Sequence, residues 1–381
     1  MTPEDYLFTF SFETYADAAV RGMMRPPDRI MTTLLNHSSV RRLVVADPPR
    51  WLPRVLMSPI LDRGYRFPKT AKATHHRAIR LRRSDPRGID DVERDFGHYE
   101  KSLQRAASRR GLEHPHVITT HPFVAGFGDF KWASDVTYFG RDDWLSTPAH
   151  RPLWPALSEA YARIANRERT VVAVSQQIVD RISPKGPSLV LPNGVETAEW
   201  LGPQPAEPDW LASIPHPRAL YVGTLDERLD IEGIAVLTAA VPDLHIVLVG
   251  PAPDGDYTAP IRSLPNVHTH PHVDRAEIVA TLRNADICLL AHRRTPLTEA
   301  MSPLKVYEYL AAGCPVLATD LPPVRAISDR ILLRETVAEF PDLVPSALEL
   351  GRWSEDDRVS FVEKNSWAGR HQQMLEFSRR G

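Results

Sequence analysis

Three observations predict an α/β fold in two units, each a parallel sheet covered by helices. Short apolar runs alternate with amphipathic segments of about ten residues, the pattern of strand–helix–strand units. The alternation stops in a proline-rich stretch at 202–217 and then restarts. The chain, 381 residues of which 43% are hydrophobic, is long enough for two cores.

Each element can be justified in turn. The first strand is expected at 6–12, and a helix at 27–35 with Pro26 and Pro27 near its first turn, where a missing N–H is harmless. The run Arg42-Leu43-Val44-Val45-Ala46-Asp47 reads as a buried strand stopped by Pro48-Pro49. Residues 50–90 are rich in Pro and Arg and show no clear period, whereas 91–110 read as a helix. Strands are expected at 116–120, ended by His121-Pro122, and at 136–139, followed by Asp142-Asp143-Trp144. A helix at 153–166, a strand at 170–174, a helix at 176–182 and a strand at 188–191 complete the first unit before Pro192-Asn193-Gly194. Beyond the linker, a strand at 219–222 runs into Gly223-Thr224, and a helix is expected at 231–240. A strand at 245–249 ends in Gly250-Pro251, and 266–269 is short and extended. A helix at 276–283, a strand at 286–290, a helix at 304–312 closed by Gly313 and a strand at 315–319 follow.

Composition narrows the function. The 46 basic and 48 acidic residues leave a net charge of −2, which excludes a nucleic-acid binder driven by overall charge. The charge is uneven: residues 1–110 hold 21 Lys/Arg against 13 Asp/Glu, and the rest 25 against 35. The densest basic run, Arg77-Ala78-Ile79-Arg80-Leu81-Arg82-Arg83, reads either as a solvated helix face or as a surface for an anionic acceptor or membrane leaflet. Cys288 and Cys314 lie in apolar runs, as expected of buried, reduced thiols in a cytoplasmic protein, and two cysteines alone make neither a disulfide framework nor a zinc site. No apolar run approaches the roughly 18–20 residues of a membrane span, and the first ten residues lack the basic region of a signal peptide.

Ligands of open α/β sheets sit beyond the carboxyl ends of the strands. The candidates are therefore 12–14, His121, Asp142-Asp143, Gly223-Thr224, Gly250-Pro251 and 302–305. The strongest is Met301-Ser302-Pro303-Leu304-Lys305-Val306-Tyr307-Glu308, ahead of Tyr309-Leu310-Ala311-Ala312-Gly313-Cys314-Pro315-Val316. Ser302 suits an N-cap and Pro303 the first helical position, so the helix start offers free N–H groups and a positive dipole end to an anion. Lys305, one of only seven lysines, stands in that first turn, where a cation opposes the dipole. A local rule broken at a strand-to-helix turn suggests function. Glu308 lies on the same face at i,i+3 and about 5 Å along the axis, in reach of a ribose whose phosphate sits at the helix end. The structural reading of the same residues is a capped helix with an i,i+3 ion pair.

This segment resembles the nucleotide-sugar signature of GT-B fold glycosyltransferases, in particular the family-4-like group that includes enzymes of teichuronic acid and other cell-surface glycan biosynthesis. Arg25-Pro26-Pro27, Asp142-Asp143-Trp144, Val174-Ser175 and Leu191-Pro192-Asn193-Gly194-Val195 fall in the same order along the chain. The resemblance implies two Rossmann-like domains facing across a deep cleft. An acceptor domain would occupy 1–200, a nucleotide-sugar domain 201–354, and a final helix within 355–381 would cross back onto the first domain. It implies transfer of a sugar from a nucleotide-diphosphate sugar to a hydroxyl acceptor (a glycan, a lipid-linked sugar or a small molecule), retaining and metal-independent, with no cofactor beyond the donor itself. Peripheral membrane contact would run through the basic N-terminal half. The donor-binding residues so implied are Gly223 and Thr224 near the diphosphate, His272 and Val273 near the base, Ser302, Pro303, Leu304 and Lys305 at the phosphate, and Glu308 at the ribose. Ala300 stands where many members carry a first glutamate eight residues before the second, and Arg228 is the nearest substitute for the usual basic residues after the first strand of this domain.

In the first unit, His121 is a candidate for hydrogen bonding or proton transfer in the cleft, on the basis of an unperturbed pKa near 6.5. Asp142 and Asp143 are each either a base for an inverting reaction or a cap for the turn that follows. Asp254-Gly255-Asp256 resembles a metal-binding carboxylate pair, but sits in a turn-rich loop. A nicotinamide oxidoreductase would need a Gly-x-Gly-x-x-Gly turn, which the chain lacks. A sugar-nucleotide epimerase and a non-catalytic partner subunit of the same fold remain alternatives.

Overall fold

The computed structural model describes residues 3–61, 65–253, 255 and 257–379. The chain divides into two compact units, Met1–Pro192 with His371–Gly381, and Asn193–Arg370.

The first unit holds β1 (Glu4–Thr9), β2 (Val40–Trp51), β3 (Ala73–Arg80), β4 (His116–Thr119), β5 (Asp135–Gly140), β6 (Thr170–Ala173) and β7 (Ser188–Val190), in the order β3-β2-β1-β4-β5-β6-β7. Every pairing is parallel. Buried runs such as Leu43–Ala46 have apolar neighbours on both faces, as a helix-covered sheet requires. The second unit holds β8 (Arg218–Val222), β9 (His245–Val249), β10 (Val267–His270), β11 (Ile287–Leu290), β12 (Val316–Thr319) and β13 (Ile331–Arg334), again all parallel, in the order β10-β9-β8-β11-β12-β13. Two apolar clusters fill this unit, one holding Leu220 and Cys288 and the other Ala219 and Leu289. Neighbouring residues of one strand point to opposite faces, so each cluster lies on its own side of the sheet. Cys288 and Cys314 are buried and unpaired. Among the described residues no helix is long and apolar enough to cross a membrane.

Four local readings change. The strand expected to stop at Pro48-Pro49 continues to Trp51, because the ladder to β3 shifts register between Asp47 and Arg50, where the two prolines offer no N–H. Residues 50–90 carry a helix, Leu52–Leu61, and the edge strand β3. The run 77–83 is thus the end of that strand and the chain beyond it, not a helix face. The helix expected near the C-terminus is two helices, Glu355–Lys364 and Trp367–Ser378. It breaks where the Val195 N–H donates to the Asn365 carbonyl (2.9 Å) and the Trp367 N–H to the Val195 carbonyl (2.9 Å). Gly194 permits this approach, since a Cβ there would lie 2.8 Å from the Asn365 oxygen.

Candidate functional site

In the second unit the strand order reverses between β8 and β11, the point at which loops diverge and leave a crevice. β8 runs into Gly223 and β9 into Gly250, with φ of +147° and +144°. A Cβ on Gly250 would lie 2.2 Å from the Gly223 carbonyl oxygen, so the two turns fit only as glycines. A Cβ on Gly223 would lie 2.7 Å from Lys305 Nζ. The lysine therefore rests on bare backbone, and the structure brings together two of the predicted donor residues that are far apart in sequence.

Lys305 belongs to the helix Leu304–Ala311. The helix starts at Leu304, within the expected range, but Pro303 stands in the N-cap position in place of the first helical one, and no side chain caps it. Ser302 is not the cap. It is buried, its Oγ accepting the Asn193 N–H (3.3 Å) and its carbonyl accepting Asn193 Nδ2 (2.7 Å). The Pro-Asn-Gly-Val segment is thus tied to the turn that carries the lysine. Lys305 Nζ lies 3.8 Å above the centre of the Tyr221 ring and 3.4 Å from His292 Nε2. Among the described residues no carboxylate comes within ion-pair distance of it. Burial, then the charge of Arg228, push its pKa down to about 7 despite Asp226 and Glu308.

His292, just past β11, is fully buried, and burial followed by Lys305 and Arg228 holds its pKa well below the usual value. Its Nε2 also lies 3.1 Å from Tyr221 Oη, and its Nδ1 is buried without a hydrogen bond. Arg228 makes two bonds to Asp226, at 2.8 and 2.6 Å, yet its charge still reaches Lys305 and His292. Sequence reasoning missed His292 and Tyr221. Their only signal was position, one just beyond a strand and one near a strand's end at the reversal point.

Glu308 does not pair with Lys305. Its Oε1 lies 2.7 Å from Arg275 Nη2, and Arg275 also reaches Glu199 at 2.6 Å and lies over the Trp200 ring at 5.5 Å. Burial disfavours the guanidinium, but Glu308 and Glu199 outweigh it and raise its pKa. Arg275 opens the helix Arg275–Arg283, which Asp274 caps through the Glu277 N–H at 2.9 Å. The predicted base-contact pair, His272 and Val273, directly precedes this cap. His272 is exposed, while the Val273 side chain belongs to the core. Leu304 is half-buried, and the Thr224 carbonyl accepts the Tyr221 hydroxyl at 3.3 Å. Ala300 is buried, and Glu299 is paired with Arg294 at 2.7 Å.

In the first unit the order reverses between β1 and β4, and His121 follows β4. It caps the helix Pro122–Phe127, Nδ1 accepting the Phe123 N–H at 3.2 Å. Its ring packs against Phe12 (4.6 Å) and Phe96 (4.7 Å) and lines a pocket with Phe12, Pro48, Arg50 and Arg80. Burial, then Arg50 and His150, lower its pKa to about 3. With Nδ1 accepting, the neutral ring carries its proton on Nε2. Hydrogen-bond donation remains open to His121, but it holds no second proton near neutral pH, which corrects the expectation of an imidazole titrating near 6.5. Asp143 is buried and accepts from the Leu145 N–H (3.2 Å), the Ser146 hydroxyl and Arg181 (3.3 Å). It holds the turn. Asp142 is more exposed and pairs with Arg141 Nε at 3.1 Å. Among the described residues no group of His, Cys, Asp and Glu could hold a metal ion, and Asp254 and Asp256 lie outside the described residues.

Residues 216–346 match the family described as glycosyl transferases group 1. A stretch of 104 residues is 34% identical to the putative teichuronic acid biosynthesis glycosyltransferase TuaH of Bacillus subtilis (strain 168), covering 27% of this chain and 26% of that protein. The match thus spans about a quarter of the length of that curated relative. Among solved structures, a sucrose-phosphate synthase from Thermosynechococcus elongatus is similar with a TM-score of 0.67 at 15% identity, over 99% of this chain and 98% of that one. An α,α-trehalose 6-phosphate synthase from Burkholderia multivorans is similar with a TM-score of 0.68 at 11% identity, over 100% and 99%. At such identities the likeness is one of fold: two parallel sheets with helices, the GT-B architecture.

Proposed function

From a chain whose residues 216–346 match the glycosyl transferases group 1 and whose sheets have the GT-B architecture, we infer that the protein transfers a hexosyl group from a nucleotide-diphosphate sugar to a hydroxyl acceptor. The second unit takes the donor. Lys305 carries the reading. It is a cation in the first turn of a helix, set on the bare Cα of Gly223, with no carboxylate beside it among the described residues. A bound diphosphate supplies the missing negative charge, restores the full charge of the lysine, and meets the free N–H groups of the same helix start. As the sugar–phosphate bond breaks, charge builds on the leaving diphosphate and these contacts strengthen, which is the condition for catalysis.

Gly223 and Thr224 back the diphosphate in this reading. Glu308, steadied by Arg275, holds the ribose hydroxyls, and the loop of His272 and Val273 faces the base. His121 donates a hydrogen bond from Nε2 in the acceptor unit. A cationic helix start makes a divalent ion unnecessary. Retention of configuration is favoured because Asp143 is occupied by its turn and the one unprotonated nitrogen of His121, Nδ1, by the Phe123 N–H, which leaves Asp142 as the remaining candidate base of the three.

The test is a thermal-shift series against UDP, GDP, dTDP and ADP in excess EDTA, followed by turnover of the matching sugar donors. A nucleotide at about 100 times its Kd adds about 2.7 kcal/mol to a native state that alone binds it. One of the four should raise the melting temperature without added metal. No shift from any of them, in the protein that folds and melts cooperatively, overturns the reading.

A further inference from the structure

Residues 50–87 hold eleven Lys/Arg and two Asp/Glu, in a chain whose net charge is −2. The same stretch exposes Leu56, Met57, Tyr65, Ile79 and Leu81, half of the large apolar side chains exposed among the described residues, and Leu81 is 84% exposed. Scattered exposed leucines need no explanation, but concentration within a tenth of the chain does.

The fold gathers these groups. Helix Leu52–Leu61 follows directly on Trp51, the last residue of β2, and Trp51 is paired with Arg80 at the end of β3. Leu56 and Met57 in the early turns of the helix therefore rise from the same sheet corner as Ile79 and Leu81, and Arg83 lies over the Trp51 ring at 5.6 Å. β3 is the edge strand, so this corner faces outward. Arg80 and Arg82 are paired, with Asp85 (2.5 Å) and Asp91 (2.7 Å). Arg83 and Arg87, just past the end of β3, are exposed, with no carboxylate in ion-pair reach among the described residues. A groove lined by Pro49, Ile79, Arg80 and Leu81 opens beside the pocket of His121, and Pro49, Arg80 and Asp95 border both.

We propose that this corner of the first unit docks on an anionic lipid bilayer, with Leu56, Met57, Ile79 and Leu81 entering the boundary of the acyl chains and Arg83 and Arg87 meeting lipid phosphates. Charge chooses an anionic partner, and the aliphatic side chains choose a lipid one. A nucleic acid takes no benefit from leucine and methionine, and of the five exposed apolar side chains only Tyr65 offers an aromatic face for a base. Basic and apolar side chains on one surface suit the bilayer interface, where each adds to the other.

Cosedimentation of the full chain tests this, with vesicles of phosphatidylcholine alone and of phosphatidylcholine with phosphatidylglycerol. Partitioning should be at least about ten-fold greater onto the anionic vesicles. Leu56→Ser with Leu81→Ser should lower it about ten-fold, and Arg83→Glu with Arg87→Glu by a similar factor, with melting temperatures unchanged because these side chains are exposed. Leu81→Trp keeps the apolar bulk, and the emission it adds to that of the unsubstituted chain should shift to the blue on anionic vesicles only. Absence of partitioning overturns the proposal, as does added emission from the Leu81→Trp variant that anionic vesicles leave unshifted. So does binding that survives both serine substitutions and disappears at about 1 M salt, which would be adsorption by charge alone. Because vesicle binding is read without donor or turnover, its failure is separate from failure of the transferase reading.

Discussion

Lys305 Nζ lies 3.8 Å above the centre of the Tyr221 ring, with Gly223 on one side and His292 Nε2 at 3.4 Å. The ring face offers weak electrostatic attraction to a cation but no counter-charge. Lys305 is thus held in position by groups that do not neutralise it, and burial leaves it close to losing its proton.

Lys305→Ala should lower kcat/KM for the donor by about 10²-fold, with much of the loss in kcat, because the contact strengthens as the diphosphate leaves. The fold should not suffer. A cation at a helix start opposes the dipole, so its removal should be neutral or raise stability by a few tenths of a kcal/mol. A variant that melts far lower but transfers sugar normally would assign Lys305 to structure.

Nucleotide binding should take up a proton. The folded-state pKa of Lys305 is about 7, against 10.5 ordinarily. Between these values the unfolded chain binds a proton that the folded chain lacks, so this group's contribution to stability rises with pH across that window. A bound diphosphate raises the pKa again, so affinity should fall as pH rises above about 7, by up to ten-fold per pH unit. Calorimetry near pH 8 in buffers of different ionisation enthalpy should show uptake approaching one proton, absent in Lys305→Met. Equal apparent enthalpies in all buffers would contradict it.

Glu308→Gln should raise the donor KM by roughly ten-fold and leave kcat nearly unchanged, since a ribose contact is the same in ground and transition states. The structure adds a cost in stability. Arg275, largely buried over Trp200, keeps Glu199 as its one charged partner among the described residues, so the variant should lose about 1–3 kcal/mol. A lower melting temperature with an unaltered KM would make Glu308 a partner of Arg275 only.

His121→Ala should lower kcat by about ten-fold or more. With its pKa near 3, His121 stays neutral from pH 5 to 8, so the wild-type profile should show no limb near 6.5 that His121→Ala removes. His121→Asn, which can still cap Phe123, should restore most of the roughly 1 kcal/mol lost with the cap but not the rate. A limb near 6.5 that vanishes in His121→Ala would show that the imidazole titrates in the working enzyme.

The alternation of strands and helices was determined by sequence alone, because apolar period and Pro or Gly stops act over a few residues. The helix Ile231–Ala240 and the strand His245–Val249 fall at their expected bounds for that reason. The same local signals placed Lys305 and Glu308 in the early turns of one helix, on one face. Where local signals conflict, tertiary pairing decided. β2 passes through Pro48-Pro49 because β3 lies alongside to accept the shifted register, and β3 itself arises from a stretch without a period. The C-terminal helix breaks at 365–366 because Val195, far earlier in the chain, takes its place in the hydrogen bonding. Sequence spacing allowed Lys305 and Glu308 to pair with each other. Only the tertiary structure brought Arg275 to Glu308, and Tyr221, Gly223 and His292 to Lys305, which separated the two charges and left the lysine without a carboxylate in ion-pair reach among the described residues. That outcome depends on groups remote in the chain, such as Tyr221 on β8, whose approach no local periodicity encodes.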